Sequence, residues 1–221
     1  MGRFGAETLK YTAYIAVALL VGMIAREYAR AFASARLGDP TPRLWGRLTL
    51  NPKAWFEPFG SGLLPGLILF LYAAASTFLP APMAYAKPAP VDPAYLRRQP
   101  RDVVLVSLAG PLANVVLAAI AGLTLRIPSL PIEFVLPLRA FEYAQMSLAI
   151  FHLLPIPGLD GARLVGLVLP PSAREVYRNM DQYLPLFVLL VVFLLAGPVQ
   201  SILYSVTDTF CKLFSGTTCL P

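Results

Sequence analysis

The sequence predicts an all-α polytopic membrane protein, and three observations predict it. Charged residues make up 14% of the 221 residues and hydrophobic residues 57%, at a mean hydropathy of +0.65. A soluble domain carries roughly 25% charged residues, so this chain has too little polar side chain to cover itself in water. Its apolar residues are gathered into runs of about 20, the length a helix needs to cross the hydrocarbon of a bilayer. The 22 prolines fall mostly between those runs or near their ends, as helices joined by short stiff loops require. One membrane domain, 1–221, accounts for the length, with no soluble domain, repeat or low-complexity tract.

The elements follow in order. Residues 9–35 read as the first helix, with the charged tract Arg26 to Arg30 in its second half. Its apolar part, Leu9 to Ala25, is followed by no small-residue cleavage site, so it is expected to be retained. The stretch Arg43 to Pro52 alternates enough to form short strands. Residues 60–80 are long enough to span, but Gly60, Gly62, Pro65 and Gly66 crowd the first third. Such a segment either spans or dips in and returns, shielded by protein. Helices are expected over 103–125, 132–154 and 183–207, the last including Leu186 to Ala196 without a charge.

Charge counting separates the two readings of 60–80. Leaving out Arg26 and Arg30, a span divides Lys and Arg seven against nine between the two sides, which sets no orientation. A dip that returns divides them eleven against five, the five being Arg3, Lys10, Arg126, Arg139 and Lys212. The positive-inside bias prefers the second arrangement: four full spans, one re-entrant element and both termini outside. The net charge of +6 sits on residues that flank apolar runs, where it meets anionic headgroups; lipid, not nucleic acid, is the expected partner. Cys211 and Cys219 follow the last helix on the outer side, where disulfides persist. They either close a small loop or remain two thiols.

Four stretches carry chemistry. The first is Ala25-Arg26-Glu27-Tyr28-Ala29-Arg30-Ala31, running to Leu37-Gly38-Asp39-Pro40. The second is Gly46-Arg47-Leu48-Thr49-Leu50-Asn51-Pro52. The third is Ala86-Lys87-Pro88 with Pro90-Val91, then Ala109-Gly110-Pro111-Leu112-Ala113-Asn114. The fourth is Phe151-His152-Leu153-Leu154-Pro155-Ile156-Pro157-Gly158-Leu159-Asp160-Gly161. In order and spacing they resemble the compact bacterial branch of the site-2 protease family of intramembrane zinc metalloproteases, over most of residues 20–165. The resemblance implies a transmembrane protease-like core in the bacterial cytoplasmic membrane.

In that family the first stretch reads H-E-x-x-H. Spacing of four puts two histidines on one helical face, within reach of one zinc. The Glu between them activates the metal-bound water, and the Asp of the fourth stretch completes the ligand set. By resemblance Glu27 matches the base and Asp160 the third ligand, while Arg26 and Arg30 stand where the histidines belong. A guanidinium is always protonated and offers donors only, so it cannot hold zinc. The chain's one histidine, His152, stands where the family has Asn. The expectation is therefore no intact catalytic residue, no metal and no cofactor.

Two arginines one turn apart repel each other and are costly in lipid. The resemblance brings Asp160 to face them, so an ion cluster of Arg26, Asp160 and Arg30 with Glu27 nearby is expected to replace metal as the clasp. The contrasting reading has both arginines snorkel to headgroups. A residual metal site of His152, Asp160 and Glu27 is the lesser reading of His152, since a histidine near a helix end is more often a hydrogen-bonded structural residue. Gly110-Pro111 and Asn114 read as a helix start, where proline's missing N–H costs nothing. By resemblance Asn114 lies near the substrate region; an interhelical hydrogen bond serves equally well. The 43–52 strands would add a client by edge pairing.

Together these readings imply an inactive relative of the family, working as a binding or structural subunit. Its partner is a larger membrane complex or a single-span client helix. The rival is a metalloprotease or hydrolase with an atypical or partner-completed metal site.

Overall fold

The structure, a computed structural model, describes residues 6–74, 80–194 and 196–219. Three long helices form the body: α1 (Ala6–Leu37), α5 (Arg101–Leu125) and α6 (Ile132–Leu153). Between α1 and α5 lie two single-turn helices, α2 (Thr41–Leu44) and α3 (Pro52–Trp55), then a wide turn over Pro58–Leu63 running into α4 (Leu64–Ala73). After α6 come α7 (Asp160–Gly166), α8 (Pro171–Asn179), α9 (Leu184–Leu189) and α10 (Ala196–Phe214).

Of the three long helices, α6 is the central one. From Glu142 to Ala149 every residue is buried, and α1, α5 and α10 pack around it. It carries Glu142, Gln145 and Ser147 in that stretch, because it faces protein and not lipid. Gln145 Nε2 donates to the Ala18 carbonyl of α1 at 2.7 Å. The outer helices show the opposite pattern. On α5 the exposed large apolar residues Leu105, Leu112, Val116, Ile120 and Leu123 recur at helical spacing as one stripe, the face a lipid-exposed helix presents. Close approach of the helices depends on small residues: a Cβ on Gly22 would stand 2.5 Å from Gln145 Oε1.

Several expectations are corrected here. Among the described residues, two helices, Thr8–Leu37 and Arg101–Leu125, are by length and composition able to cross a membrane, or three if the bent final pair is one span, against the four spans expected. Helix α6 falls outside that count because its buried polar residues depress its hydropathy. The last run, expected as one helix over 183–207, is two helical parts bent by 85°. Pro198 has no N–H for the carbonyl four residues back, so the ladder is interrupted there. Among the described residues there is no strand in 43–52. Pro42 and Pro52 start helical turns instead, and the Trp55 indole and Arg47 guanidinium fold the stretch on itself through the Thr49 and Ala54 carbonyls. Gly110-Pro111 lies inside α5 and not at its start.

The 60–80 stretch takes a hairpin course. Pro58–Ala73 rises about 24 Å at 1.5 Å per residue, short of the roughly 30 Å hydrocarbon core. Residues 75–79 lie outside the described residues, and the chain then runs back beside its own outward path. Tyr72 Oη donates to the Pro80 carbonyl, Tyr85 N–H to Gly60 at 3.0 Å, and Lys87 N–H to Trp55 at 2.9 Å. The two ends of the segment are therefore neighbours. Single cysteines at the exposed positions Lys53 and Arg98 are expected to react with a membrane-impermeant thiol reagent from one and the same face. Reaction from opposite faces would sink the re-entrant reading.

Cys211 and Cys219 are joined as a disulfide, with 5.5 Å between their Cα atoms. Glu142 lies beside the two sulfurs, which are spent on each other.

Candidate functional site

The second half of α1 puts Arg26 and Arg30 on one face, one turn apart, with Glu27 between them. Facing them is the first residue of α7, Asp160. It is held by a tight turn from the end of α6, in which Ile156 N–H donates to Leu154 at 2.8 Å and Leu159 N–H to Ile156 at 3.0 Å. Gly158 supplies a φ of +90° in that turn, a region open to glycine. Gly161 packs directly on the backbone: a Cβ there would stand 2.2 Å from the Leu153 oxygen and 2.3 Å from that of Leu154. On the opposite side, Gly110 of α5 lets the arginine stems pass, since a Cβ would be 2.8 Å from Arg26 Cγ.

The charges close on one another. Arg26 Nη1 bonds Glu27 Oε1, and Arg26 Nη2 bonds Asp160 Oδ2. Arg30 Nη1 donates to Glu27 Oε2 at 3.2 Å. Arg30 Nε stands 3.3 Å from Asp160 Oδ1, an ion pair without hydrogen-bond alignment. A further donor comes from the returning arm of the hairpin, whose Ala89 N–H reaches Glu27 Oε2 at 2.7 Å. None of the four side chains is more than 4% exposed. Two cations and two anions sum to zero, the condition under which charges tolerate a dry site. The cluster thus joins α1, α7 and the hairpin.

His152 is buried at the end of α6 and directs Nδ1 to the Leu148 carbonyl at 2.8 Å. That bond fixes the Nδ1–H tautomer, leaving the buried Nε2 without a partner among the described residues. It lines, with the cluster, a cavity of about 20 Å³, room for about one water. Asn114 is buried in α5, one turn beyond Gly110, and its side-chain amide N and O have no hydrogen-bond partner among the described residues. The donor set does not fit zinc. Two of the positions that the resemblance assigns to ligands carry guanidinium donors, and Asp160 is engaged by both.

A second tie holds the end of α1. Asp39 accepts from Ser34 Oγ at 2.6 Å, Thr41 N–H at 2.9 Å and Asp92 N–H at 3.0 Å. Burial alone would raise this carboxyl; the hydrogen bonds outweigh it and hold it below the ordinary carboxylate value. Its stabilising effect is therefore complete above that ordinary value and lost as pH falls through the lowered one. Asp39→Asn is expected to flatten the acid limb of a plot of unfolding temperature against pH.

Helices of this length and hydropathy around a buried ionic cluster define an all-α membrane protein. The chain is 31% identical over 229 residues to "Putative zinc metalloprotease YwhC" of Bacillus subtilis, covering 97% of each chain. It is 32% identical over 196 residues to "Putative zinc metalloprotease Rip2" of Mycobacterium tuberculosis, covering 85% of this chain and 71% of that one. Rip2 of Mycolicibacterium smegmatis is 32% identical over 206 residues, covering 87% and 73%. No family model matches the chain, and no solved structure matches it. It belongs to the site-2 protease family.

Sequence reasoning missed three parts of this site. The Ala89 N–H carries no sequence signal, because it is backbone brought in by the hairpin. Gly161 and Gly110 act through what they lack, and only the facing atoms reveal it. Arg163, one turn past Asp160, was the third, and its i, i+3 spacing is the signal that could have found it.

Proposed function

We propose that this family member is catalytically inactive and works as a binding or structural subunit of a membrane complex in the bacterial cytoplasmic membrane. The observation that carries this reading is the closed cluster of Arg26, Glu27, Arg30 and Asp160. Glu27 and Asp160, the carboxylates a metalloprotease would devote to water activation and metal ligation, are here spent on arginines. The cluster makes the fold self-sufficient without an ion, and fold alone does not dictate activity. Its partners are other membrane proteins, a larger complex or a single-span client.

The test is elemental analysis of gently solubilised protein, with co-purifying partners identified in the same sample. The expected result is no stoichiometric zinc and a constant partner set. One zinc per chain would overturn the reading and favour the alternative, a metallohydrolase with an atypical or partner-completed site. The free Nε2 of His152 is the observation that favours that alternative. The Arg26→His, Arg30→His double variant supplies the missing ligand pair at helical spacing of four. It is expected to gain zinc where the parent has none.

A further inference from the structure

Arg163 carries a charge that the cluster does not neutralise. Glu27 and Asp160 are engaged by Arg26 and Arg30, so a third arginine one turn past Asp160 leaves an excess of one positive charge. It borders two adjoining cavities of about 250 and 380 Å³, which share Pro93, Val103, Arg163, Arg178 and Asp181 in their walls. Three helices turn regular faces toward this space. From α8 and the turn after it come Arg174, Tyr177, Arg178 and Asp181, at i, i+3, i+4 and i+7. Arg163 comes from α7 and Leu167 from just past its end, and Val103 and Ser107 come from α5.

Arg174 is occupied, donating to the Leu169 carbonyl at 3.2 Å. The side chains of Arg163, Arg178 and Asp181 make no hydrogen bond or ion pair among the described residues. Two unpaired guanidiniums over one cavity are matched to a phosphate, which accepts from both at once. Leu96, Val103 and Val106 give the larger space an apolar stretch of wall, suited to a glycerol or the start of an acyl chain. Basic pockets between membrane helices hold anionic headgroups in this way. We infer that the cavity between α5, α7 and α8 binds the phosphate ester of an anionic glycerophospholipid or of a small soluble phosphate, through Arg163 and Arg178. Asp181 is the opposing charge that limits affinity.

The test measures thermal unfolding of the full chain in a neutral detergent, titrated with phosphatidylglycerol, phosphatidylcholine or glycerol 3-phosphate. Phosphatidylglycerol is expected to raise the unfolding temperature saturably, and phosphatidylcholine to do so far less. Arg163→Gln with Arg178→Gln is expected to weaken the midpoint by roughly ten-fold or more, the loss of charge-assisted hydrogen bonds. Asp181→Asn is expected to tighten it, and this variant carries the test if the double variant does not fold. Stabilisation by glycerol 3-phosphate as well assigns the site to the phosphate ester alone, and stabilisation by phosphatidylglycerol only assigns it to lipid. No saturable response to either, an unchanged midpoint in the double variant, or weaker binding in Asp181→Asn would overturn the inference.

Discussion

Asp160→Ala is expected to destabilise the protein by roughly 3–5 kcal/mol, the cost of leaving buried charge without its partner. Both arginines depend on this carboxylate: Arg26 through a direct hydrogen bond and Arg30 through an ion pair at 3.3 Å. With it gone, Glu27 alone faces two guanidiniums, and the site holds a net positive charge at near-zero exposure. Asp160→Asn keeps the shape but not the charge and is expected to lose nearly as much. The decisive comparison is the same substitution in an Arg26→Met, Arg30→Met background. There the charge to be compensated has gone, so the loss is expected to shrink by about 0.5–3 kcal/mol, the range for groups in direct contact. Thermal unfolding in detergent reads each of these proteins. An Asp160→Ala protein as stable as its parent would remove the clasp from the account.

Gly161→Ala comes next in size. The added methyl meets backbone oxygens at 2.2 and 2.3 Å, and neither is the end of a flexible side chain. Relief requires α7 to move away from the end of α6. Overpacking typically costs about 1–3 kcal/mol and occasionally more, and here the backbone on both sides places it at the upper end. Because Asp160 rides on the same turn, the shift is expected to pull it from the arginines. The Gly161→Ala and Asp160→Ala losses should then add to less than their sum. Gly66→Ala is the control, since a Cβ there meets nothing within 4 Å. If Gly161→Ala proves as mild as Gly66→Ala, the turn is not the rigid support described.

What the sequence made legible was local in origin. Spacing of four between Arg26 and Arg30 and their expense in lipid call for a compensating acid; the family resemblance, not the residues alone, points to Asp160. The long runs of α1 and α5 announce themselves by composition. Context decided the rest. The dipeptide Gly-Pro occurs at 110–111 and again at 197–198 with opposite results. At 110–111 the helix continues, supported by the packed stems of Arg26 and Arg30; at 197 a Cβ would meet nothing within 4 Å, and the helix axis turns just before it. Periodicity treats both alike, because the difference lies in the neighbours. Alternation over Arg43 to Pro52 misled for the same reason: without a partner edge, the prolines and the Trp55 and Arg47 side chains determine the path.

The neutrality of the cluster also governs how the protein answers an electric field. A transmembrane potential does work of about 2.3 kcal/mol per elementary charge for each 100 mV, so two bare arginines near the middle of a bilayer would behave as gating charges. With Glu27 and Asp160 bound to them, the four groups move as one body with no net charge. Energisation or collapse of the membrane potential then exerts no net pull on these four groups taken together.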